Sequence, residues 1–329
     1  KVKPSLDDSG EGFLFYKRVL LTIKIRGCKM SAVDNIFQSL LVGASQEMPV
    51  STKEKTEIKP KSQQFGLVPL LSKIDAEPYF EDKTKSFILF KEDTLKLLPL
   101  IPEESIDMIF ADPPYFLSNG GITCHAGKMV SVNKGKWDVS NGIEDSHLFN
   151  QRWLKQCQRI LKPNGTIWVS GTSHIIHSIG FAMQSLHYKI LNDISWFKVN
   201  PPPNLSCRYF THSTETIIWA AKNQKSKHHF NYPLMKQLNN NKQMLSLWHI
   251  KPPETPEKKY GKHPTQKPMK LLERIVQAST KKGDIVLDPF NGSGTTGLEA
   301  HLLGRKYIGI DSEEEYLELI IKRFKDLKL

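Results

Sequence analysis

The sequence has few cysteines, no long apolar run and no internal repeat. Its four cysteines include no C-x-x-C pair and no spacing typical of zinc ligands, which disfavours both a disulfide framework and a structural metal. The best apolar stretch, residues 13–25, is interrupted by Lys17, Arg18 and Lys24 and is too short to cross a bilayer. We therefore expect a soluble cytoplasmic protein without a bound metal ion.

Acidic residues are scarce in the middle of the chain. Lys and Arg outnumber Asp and Glu by 12 within residues 120–262, a surplus equal to the whole net charge of +12. A solvated lysine-rich surface is one explanation. The basic residues are interleaved with Trp, Tyr and His, however, and this combination favours contact with nucleic acid. The candidate contact residues are Lys134, Lys136, Arg208, Lys225 and Lys227.

Short apolar runs alternate with amphipathic stretches from Ser86 onward. Because strands that alternate with helices form parallel sheets with helices on both faces, the pattern predicts an α/β fold with a doubly wound, mostly parallel sheet. The predicted strands are 86–90, 106–111, 166–170, 194–198, 216–220, 285–288 and 307–311, and the predicted helices are 149–161, 174–186, 268–279 and 295–303, the third with Pro268 in its first position.

A glycine-rich loop follows the predicted strand 285–288. Residues 292–297 match G-x-G-x-x-G, and Asp311 ends the next strand, as in loops that bind a nucleoside cofactor. Such a match alone is weak, since glycines in a strand-to-helix turn often serve only backbone geometry. The cofactor-binding candidates of this half are Asp288, Phe290, Gly292, Ser293, Gly294, Thr295 and Asp311.

Asp288 bears on which cofactor this loop accepts. A carboxylate at the end of the first strand repels a pyrophosphate but attracts an ammonium group. S-adenosylmethionine has that ammonium, a ribose for Asp311, and a carboxylate that amides at a helix start can receive. The sequence therefore favours S-adenosylmethionine over NAD, and an NAD-linked oxidoreductase remains a remote alternative.

Asp112, Pro113, Pro114 and Tyr115 follow the apolar strand 106–111 and are the catalytic candidates. The simpler interpretation is a turn in which two prolines stop a strand. The chemical interpretation is a grip on an aromatic amine, in which the Asp112 carboxylate and the Pro113 carbonyl each accept one N–H bond. Asp112 would also stabilise the positive charge that develops as a methyl group arrives. Tyr115 offers a flat face to an extruded base.

Together these motifs make the chain similar to the β-class DNA amino-methyltransferases, in which D-P-P-Y precedes the cofactor loop. The resemblance covers about residue 87 to the end of the chain and implies a Rossmann-like methyltransferase fold with permuted motif order. It also implies that Asp93 approaches the cofactor adenine and that Lys267 receives the cofactor carboxylate. The matching segments are IDMIFADPPY (106–115), NPPPNLSCRYF (200–210), HPTQKP (263–268), LDPFNGSGTTG (287–297) and YIGID (307–311).

Within that family, residues 116–121 and 200–210 most resemble the second methyltransferases of DpnII-type GATC restriction-modification systems, while GANTC enzymes share much of the pattern. The implied activity is methylation of adenine N6 in DNA, which protects host sites from a companion endonuclease. Two alternatives remain at this point, namely N4 methylation of cytosine and a nucleic-acid-binding regulator with a vestigial cofactor pocket. The sequence leaves a homodimer open.

The sequence divides into four predicted segments. Residues 1–85 form a partly flexible extension of unknown role, which the family core does not require. Residues 86–221 form the catalytic half, 222–262 an inserted DNA-recognition region, and 263–329 the cofactor-binding half. Residues 118–137 and 222–262 are the segments that we expect to read the bases.

Overall fold

A computed structural model describes residues 67–116, 142–201, 203–204, 207–261 and 263–327, with the backbone alone of 122–125 and 128–131. All of these residues belong to one compact unit, 63–329. Its strands are β1 (Phe80–Glu81), β2 (Phe87–Lys91), β3 (Ile106–Ala111), β4 (Ile122–His125), β5 (Lys128–Ser131), β6 (Leu161–Gly171), β7 (Lys189–Phe197), β8 (Thr214–Ala221), β9 (Leu247–His249), β10 (Ile285–Asp288) and β11 (Lys306–Asp311).

Helices connect most of these strands. They are α1 (Val68–Leu71), α2 (Thr94–Leu97), α3 (Ile143–Ile160), α4 (Ile176–Ser185), α5 (Tyr232–Leu238), α6 (Met269–Ser279), α7 (Thr295–Leu302) and α8 (Glu314–Lys325), with 3-10 turns at Leu98–Leu100 and Thr255–Lys258.

Nine of the described strands form one mixed sheet in the order β1-β2-β11-β10-β3-β6-β8-β7-β9, and β4 and β5 form a separate antiparallel hairpin. The five strands from β2 to β6 in that order run parallel to one another. β8 runs antiparallel to both of its neighbours, and β9 pairs in parallel with β7 at the edge. The predicted doubly wound, mostly parallel sheet is therefore confirmed.

The two faces of the sheet bury separate apolar layers. Alternate residues of β2 point to opposite faces, so Ile88 and Phe90 join one layer while Phe87 and Leu89 join the other. Helix α3 covers the first layer with residues such as Trp153, and α6 and α8 cover the second. Burial on both faces explains why the central strands read as continuous apolar runs in the sequence.

The neighbouring strands β3 and β10 mark the point where the chain changes direction across the sheet. From β3 it continues through α3 to β6 on one side, and from β10 through α7 to β11 on the other. Asp107 fixes this junction, because its carboxylate accepts the Ile285 N–H at 2.8 Å and pairs with Lys162 at 2.7 Å. A crevice outside the carboxyl ends of such strands is the usual ligand site of this fold class.

The structure differs from the sequence prediction at several element boundaries. Residues 67–81 are not a loose extension, because Leu67 and Leu70 are buried in the core and β1 pairs with β2. The boundary predicted at residue 85 is therefore too far along the chain. Helix α3 begins six residues before the predicted start, since its first turn is acidic and has no apolar spacing to reveal it. Pro268 caps α6 rather than occupying its first turn.

The segment 222–262 is less separate from the fold than its polar composition suggested. It supplies α5 and the edge strand β9, and it buries Met235, Trp248 and Ile250 in the second apolar layer. Its buried apolar residues therefore belong to the core of the main domain and do not form a core of their own. Its role in reading DNA stays a prediction.

Candidate active site

The two sequence motifs meet in one cavity. It has a volume of about 240 Å³ and lies beyond the carboxyl ends of β2, β3, β10 and β11. One side of the wall comes from residues 112–116 after β3, and the other from residues 288–296 after β10. Because β3 and β10 are hydrogen-bonded neighbours, the adjacent strand ends bring together motifs that are far apart in the sequence.

Asp112 and Tyr115 form the floor of this cavity. Tyr115 is buried, and its hydroxyl donates to Asp112 Oδ1 at 2.6 Å. Burial raises the pKa of Asp112, Lys267 opposes that shift, and Glu215 adds to it. Burial and then the neighbouring Asp112 raise the pKa of Tyr115 well above its usual value, so its proton stays in place. Pro113 and Pro114 line the same wall and restrict its backbone.

Lys267 lies on the Asp112 side of the cavity. Its ammonium donates to Asp112 Oδ2, lies 3.2 Å from the Tyr115 hydroxyl, and lies 3.7 Å from Glu215 Oε2. Burial lowers the pKa of Lys267, but Asp112 and Glu215 outweigh that effect and raise it overall. These partners differ from the cofactor carboxylate that the resemblance assigned to this lysine. In this structure Lys267 is a partner of the Asp112 carboxylate.

The loop after β10 is built to present backbone amides. Gly292 and Gly294 have positive φ angles of 51° and 69°, and α7 begins immediately afterwards at Thr295. A Cβ atom on Gly294 would lie 2.6 Å from Ile320, so both the conformation and the packing require glycine. The loop therefore directs the N-terminus of α7, with its partial positive charge, towards the cavity.

Asp288 and Asp311 close the cofactor side. Asp288 accepts the Thr296 hydroxyl at 2.6 Å and the Phe290 N–H at 3.0 Å, and Asp311 accepts the Gly292 N–H at 2.7 Å. Burial raises the pKa of Asp288 to about 7 and that of Asp311 to about 6. Each carboxylate thus carries its negative charge at a cost unless a cation binds beside it.

Four further predicted residues complete this wall. Asp93 lines the cavity and caps α2 by accepting the Leu95 N–H at 2.8 Å. The Phe290 ring lines it as well and packs edge-on against Trp153 with 5.3 Å between ring centroids. The predicted residues Ser293 and Thr295 also lie on the lining, so every predicted cofactor residue except Gly294 contacts the cavity directly.

The charge of the lining indicates which cofactor fits. Six carboxylates face the cavity, against one lysine and one histidine. A pyrophosphate would be repelled by this surface, whereas a sulfonium and an ammonium group would be attracted. The donors at the start of α7 can still receive a carboxylate. The residues present therefore fit S-adenosylmethionine and argue against NAD. The carboxylates that face the cavity are Glu92, Asp93, Asp112, Asp288, Asp311 and Glu313.

The predicted DNA-contact residues do not lie together. Arg208 is exposed in the segment before β8, near the carboxyl end of β6 and thus on the cavity side of the sheet. Lys225 and Lys227 lie at the opposite end of the strands, where the Ser226 hydroxyl donates to the Pro163 carbonyl at the start of β6. Lys134 and Lys136 fall outside the described residues.

Sequence reasoning missed two side chains that support the site. Glu215 is buried on β8, behind Lys267, and Arg323 on α8 donates to the Ser293 carbonyl and, at 3.1 Å, to the Thr295 hydroxyl. A signal for Glu215 was present, because it is the single charged residue in the otherwise apolar run of β8. Arg323 gave none, since it sits among other basic residues at the end of a helix.

The described part of the chain holds neither a metal-binding cluster nor a membrane-spanning helix. No group of three or more His, Cys, Asp or Glu side chains there has an arrangement that could hold a metal ion. Among the helices described above, none combines the length and apolar character needed to cross a membrane.

Comparison with known proteins assigns the family. A model of the DNA methylase family (N6_N4_Mtase) matches residues 106–322. The chain is 58% identical over 248 residues to Type II methyltransferase M2.LlaDCHI of Lactococcus lactis subsp. cremoris, covering 75% of this chain and 91% of that protein. It is 56% identical to M2.DpnII of Streptococcus pneumoniae, with 76% and 92% covered. Its identity to M.HinfI of Haemophilus influenzae is 44%, with 73% and 68% covered.

Solved structures agree with this family. The complex of M1.HpyAVI with S-adenosylmethionine superposes with a TM-score of 0.56 at 29% identity and covers 73% of this chain and 98% of that one. The cytosine-N4-specific PvuII DNA methyltransferase gives a TM-score of 0.62 at 23% identity, with 78% and 92% covered, and shows the fold alone. The chain therefore belongs to the DNA methylase family and is an S-adenosylmethionine-dependent DNA methyltransferase.

Proposed function

We propose that this enzyme methylates N6 of an adenine swung out of DNA, within a GATC or GANTC-like site, as the modification arm of a restriction-modification system. The supporting relatives are the Type II methyltransferases described above, whose lengths this chain covers almost completely in two cases. The observation that carries the proposal is the position of Asp112 and Tyr115 at the floor of the acidic cavity.

Asp112 is the proposed acceptor of the target amine. The nitrogen of an aromatic amine is a weak nucleophile because its lone pair is delocalised into the ring. Hydrogen bonds from its two N–H groups to the Asp112 carboxylate and the Pro113 carbonyl favour a pyramidal nitrogen with an available lone pair. The Asp112 charge then stabilises the positive charge that grows on this nitrogen during transfer. Its raised pKa also suits it to accept the proton that the nitrogen must lose.

Aromatic side chains provide the proposed seat of the base. Tyr115 and Phe116 lie on the lining beside Asp112, and Phe116 packs edge-on against Phe149 with 5.7 Å between the ring centroids. A flat base would stack on one face of this aromatic wall while its amine reaches the carboxylate.

The opposite wall is the proposed cofactor site. When bound, S-adenosylmethionine supplies an electrophilic methyl group on a sulfonium sulfur. Asp288 would hold its ammonium, Asp311 its ribose and Asp93 its adenine end, while amides at the start of α7 would receive its carboxylate. The remaining task of the protein is to position the amine opposite the methyl group and exclude water.

The proposed DNA path runs across the carboxyl ends of the strands, where the cavity lies. Exposed Tyr209 and Phe210 line a cleft there with His174, next to Arg208. Lys134 and Lys136, outside the described residues, remain proposed contacts. A companion endonuclease and a cytoplasmic location belong to the proposal as well, on the strength of the restriction-modification role, while a homodimer stays open.

Asp112→Ala tests the proposed function. We expect transfer of an isotope-labelled methyl group to DNA to fall by at least about a thousandfold, because the amine loses its acceptor. Binding of S-adenosylmethionine, measured by calorimetry, should stay within about threefold, since the cofactor wall is separate. Mass analysis of nucleosides from DNA treated with the unaltered enzyme should show N6-methyladenine. Retained activity in the variant, or N4-methylcytosine as the product, would contradict the proposal.

A further inference from the structure

Four side chains of alternating charge extend from the cavity floor into the sheet. Lys267 pairs with Asp112 on one side and lies 3.7 Å from Glu215 on the other, and Lys198 donates to the second oxygen of Glu215. The side chains of Asp112, Lys267 and Glu215 are 12%, 6% and 9% exposed. Glu215 does not line the cavity, so it acts on the reaction from behind, through its contact with Lys267 and through its charge, which raises the pKa of Asp112.

The position of Lys267 creates a conflict with the proposed chemistry. Both Asp112 oxygens already have a donor, namely the Tyr115 hydroxyl on Oδ1 and the Lys267 ammonium on Oδ2. The target amine needs this carboxylate as an acceptor and becomes positively charged as the methyl group arrives. An ammonium on the same carboxylate opposes that charge at short range in a poorly solvated site. Catalysis therefore requires that the lysine charge be compensated or displaced.

We infer that Glu215 is a positioning residue of methyl transfer, acting as the second partner that takes the Lys267 ammonium when the target amine donates to Asp112 Oδ2. This inference rests on the proposed role of Asp112 as the amine acceptor. The 3.7 Å separation between Lys267 Nζ and Glu215 Oε2 is slightly longer than a hydrogen bond, so a small rotation of the lysine side chain is sufficient. Lys198 holds Glu215 in place from the opposite side.

Charge arithmetic supports the same role. With Glu215 ionised, the charges of the four side chains described above sum to zero, and the Lys267 ammonium is shared between Asp112 and Glu215. Without the Glu215 charge the remaining three sum to +1, and Lys267 is left with Asp112 as its carboxylate partner. The charged and titratable groups around Asp112 are Lys267 from the segment before α6, Glu215 from β8, Tyr115 from its own loop, and Asp288 from β10 across the cavity.

Glu215→Gln provides the test, with kcat and KM measured as a function of pH. We expect the plateau of kcat to fall about tenfold or more, because Lys267 then remains on Asp112. The acid limb of the pH profile of kcat, where the rate falls as the pH is lowered, should move to lower pH. The reason is that removing the Glu215 charge lowers the pKa of Asp112. KM for S-adenosylmethionine should change less than about twofold, because the cofactor wall is untouched. A merely structural role would lower the melting temperature without moving the acid limb.

Asp107→Asn is the matched control. Asp107 also pairs with a lysine and lies on β3, but at the opposite end of the strand from the Asp112 loop. Its variant should keep the acid limb in place. Glu215→Asp, which retains the charge at a shorter reach, should recover part of the lost kcat.

The outcomes separate this inference from the proposed function. A folded Glu215→Gln enzyme with unaltered plateau and acid limb would overturn the inference, whereas an active Asp112→Ala enzyme would overturn the proposed function itself. Circular dichroism and thermal melting establish that the variants fold. If Glu215→Gln does not fold, Glu215→Asp is the deciding variant. Its carboxylate lies farther from Lys267, so kcat must fall if the inference holds. An unchanged kcat in that variant refutes the inference.

Discussion

Asp288 is buried, and its raised pKa makes cofactor affinity depend on pH. Burial raises this pKa to about 7, while an ammonium bound beside the carboxylate would lower it again. The ionised form is therefore the one that binds. We expect affinity for S-adenosylmethionine to be constant above about pH 7 and to fall by up to about tenfold per pH unit below it. Calorimetric titration at several pH values measures this dependence, and a flat profile would contradict the assignment of Asp288.

Asp288→Asn should separate binding from stability. The folded-state pKa of about 7 lies above the ordinary value of 3.8, so the ionised group destabilises the fold above pH 7, and this cost disappears below about pH 4. Removing the charge should therefore raise the free energy of unfolding at pH 8 by up to about 4 kcal/mol, with little change at pH 4. Cofactor binding should weaken at the same time. Chemical denaturation at both pH values provides the measurement, and a destabilised variant at pH 8 would contradict it.

At the level of single residues, the sequence indicated which residues belong to the site better than it indicated which side chains contact one another. Asp112, Tyr115, Asp288 and Asp311 could be chosen because each stands at the end of an apolar strand, where a parallel sheet places its ligand site. The contact between Lys267 and Asp112 joins residues 155 positions apart, which no local pattern encodes. The same applies to Glu215, whose importance depends on which side chain from another element lies against it.

At the scale of elements, the end of α8 fixes the start of α7. Arg323 is buried and bonds to the Ser293 carbonyl and the Thr295 hydroxyl of the cofactor loop. Arg323→Met leaves that buried carbonyl without this donor, so we expect a loss of about 1–3 kcal/mol in the free energy of unfolding. Cofactor affinity should fall as well, because the loop amides lose their fixed position.

Lys322→Met is the control for that change. Lys322 is the preceding residue of the same helix and is exposed, so its variant should alter stability by less than about 0.5 kcal/mol. Thermal melting and cofactor calorimetry on both variants give the comparison. Equal effects of the two substitutions would show that the Arg323 contacts do not organise the loop.

Elements were predictable where one physical pattern dominated. The strands β3, β10 and β11 are apolar because both of their faces are buried, and α6 has a regular apolar stripe, so all four were recognised. β9 is three residues long and lies in a polar region, so it has no pattern of its own. It forms because β7 offers an edge and Trp248 fills a gap in the core.

At the scale of the molecule, the basic residues predicted to contact DNA lie at two opposite ends of the sheet, and only one of these ends carries the cavity. Arg208 lies on the cavity side, while Lys225 and Lys227 lie beyond the opposite ends of the strands, beside the start of β6. Arg208→Glu should therefore weaken DNA binding more than Lys225→Glu, and it should flatten the salt dependence of binding more strongly. Fluorescence anisotropy at several salt concentrations tests both. A larger effect of Lys225→Glu would mean that DNA also contacts the end of the sheet opposite the cavity, as the clustering of basic residues in the sequence predicted.

The pairing of β3 with β10 also sets the order in which the cavity is assembled during synthesis. Asp107 on β3 accepts a hydrogen bond from Ile285, 178 positions later in the chain. Translation proceeds from the N-terminus, so the nascent polypeptide displays the edge of β3 without this neighbour until β10 has been synthesised. Until then residues 112–116 are present without the opposite wall of the cavity, which the residues after β10 supply. We therefore expect a chain that stops before β10 to have no methyltransferase activity.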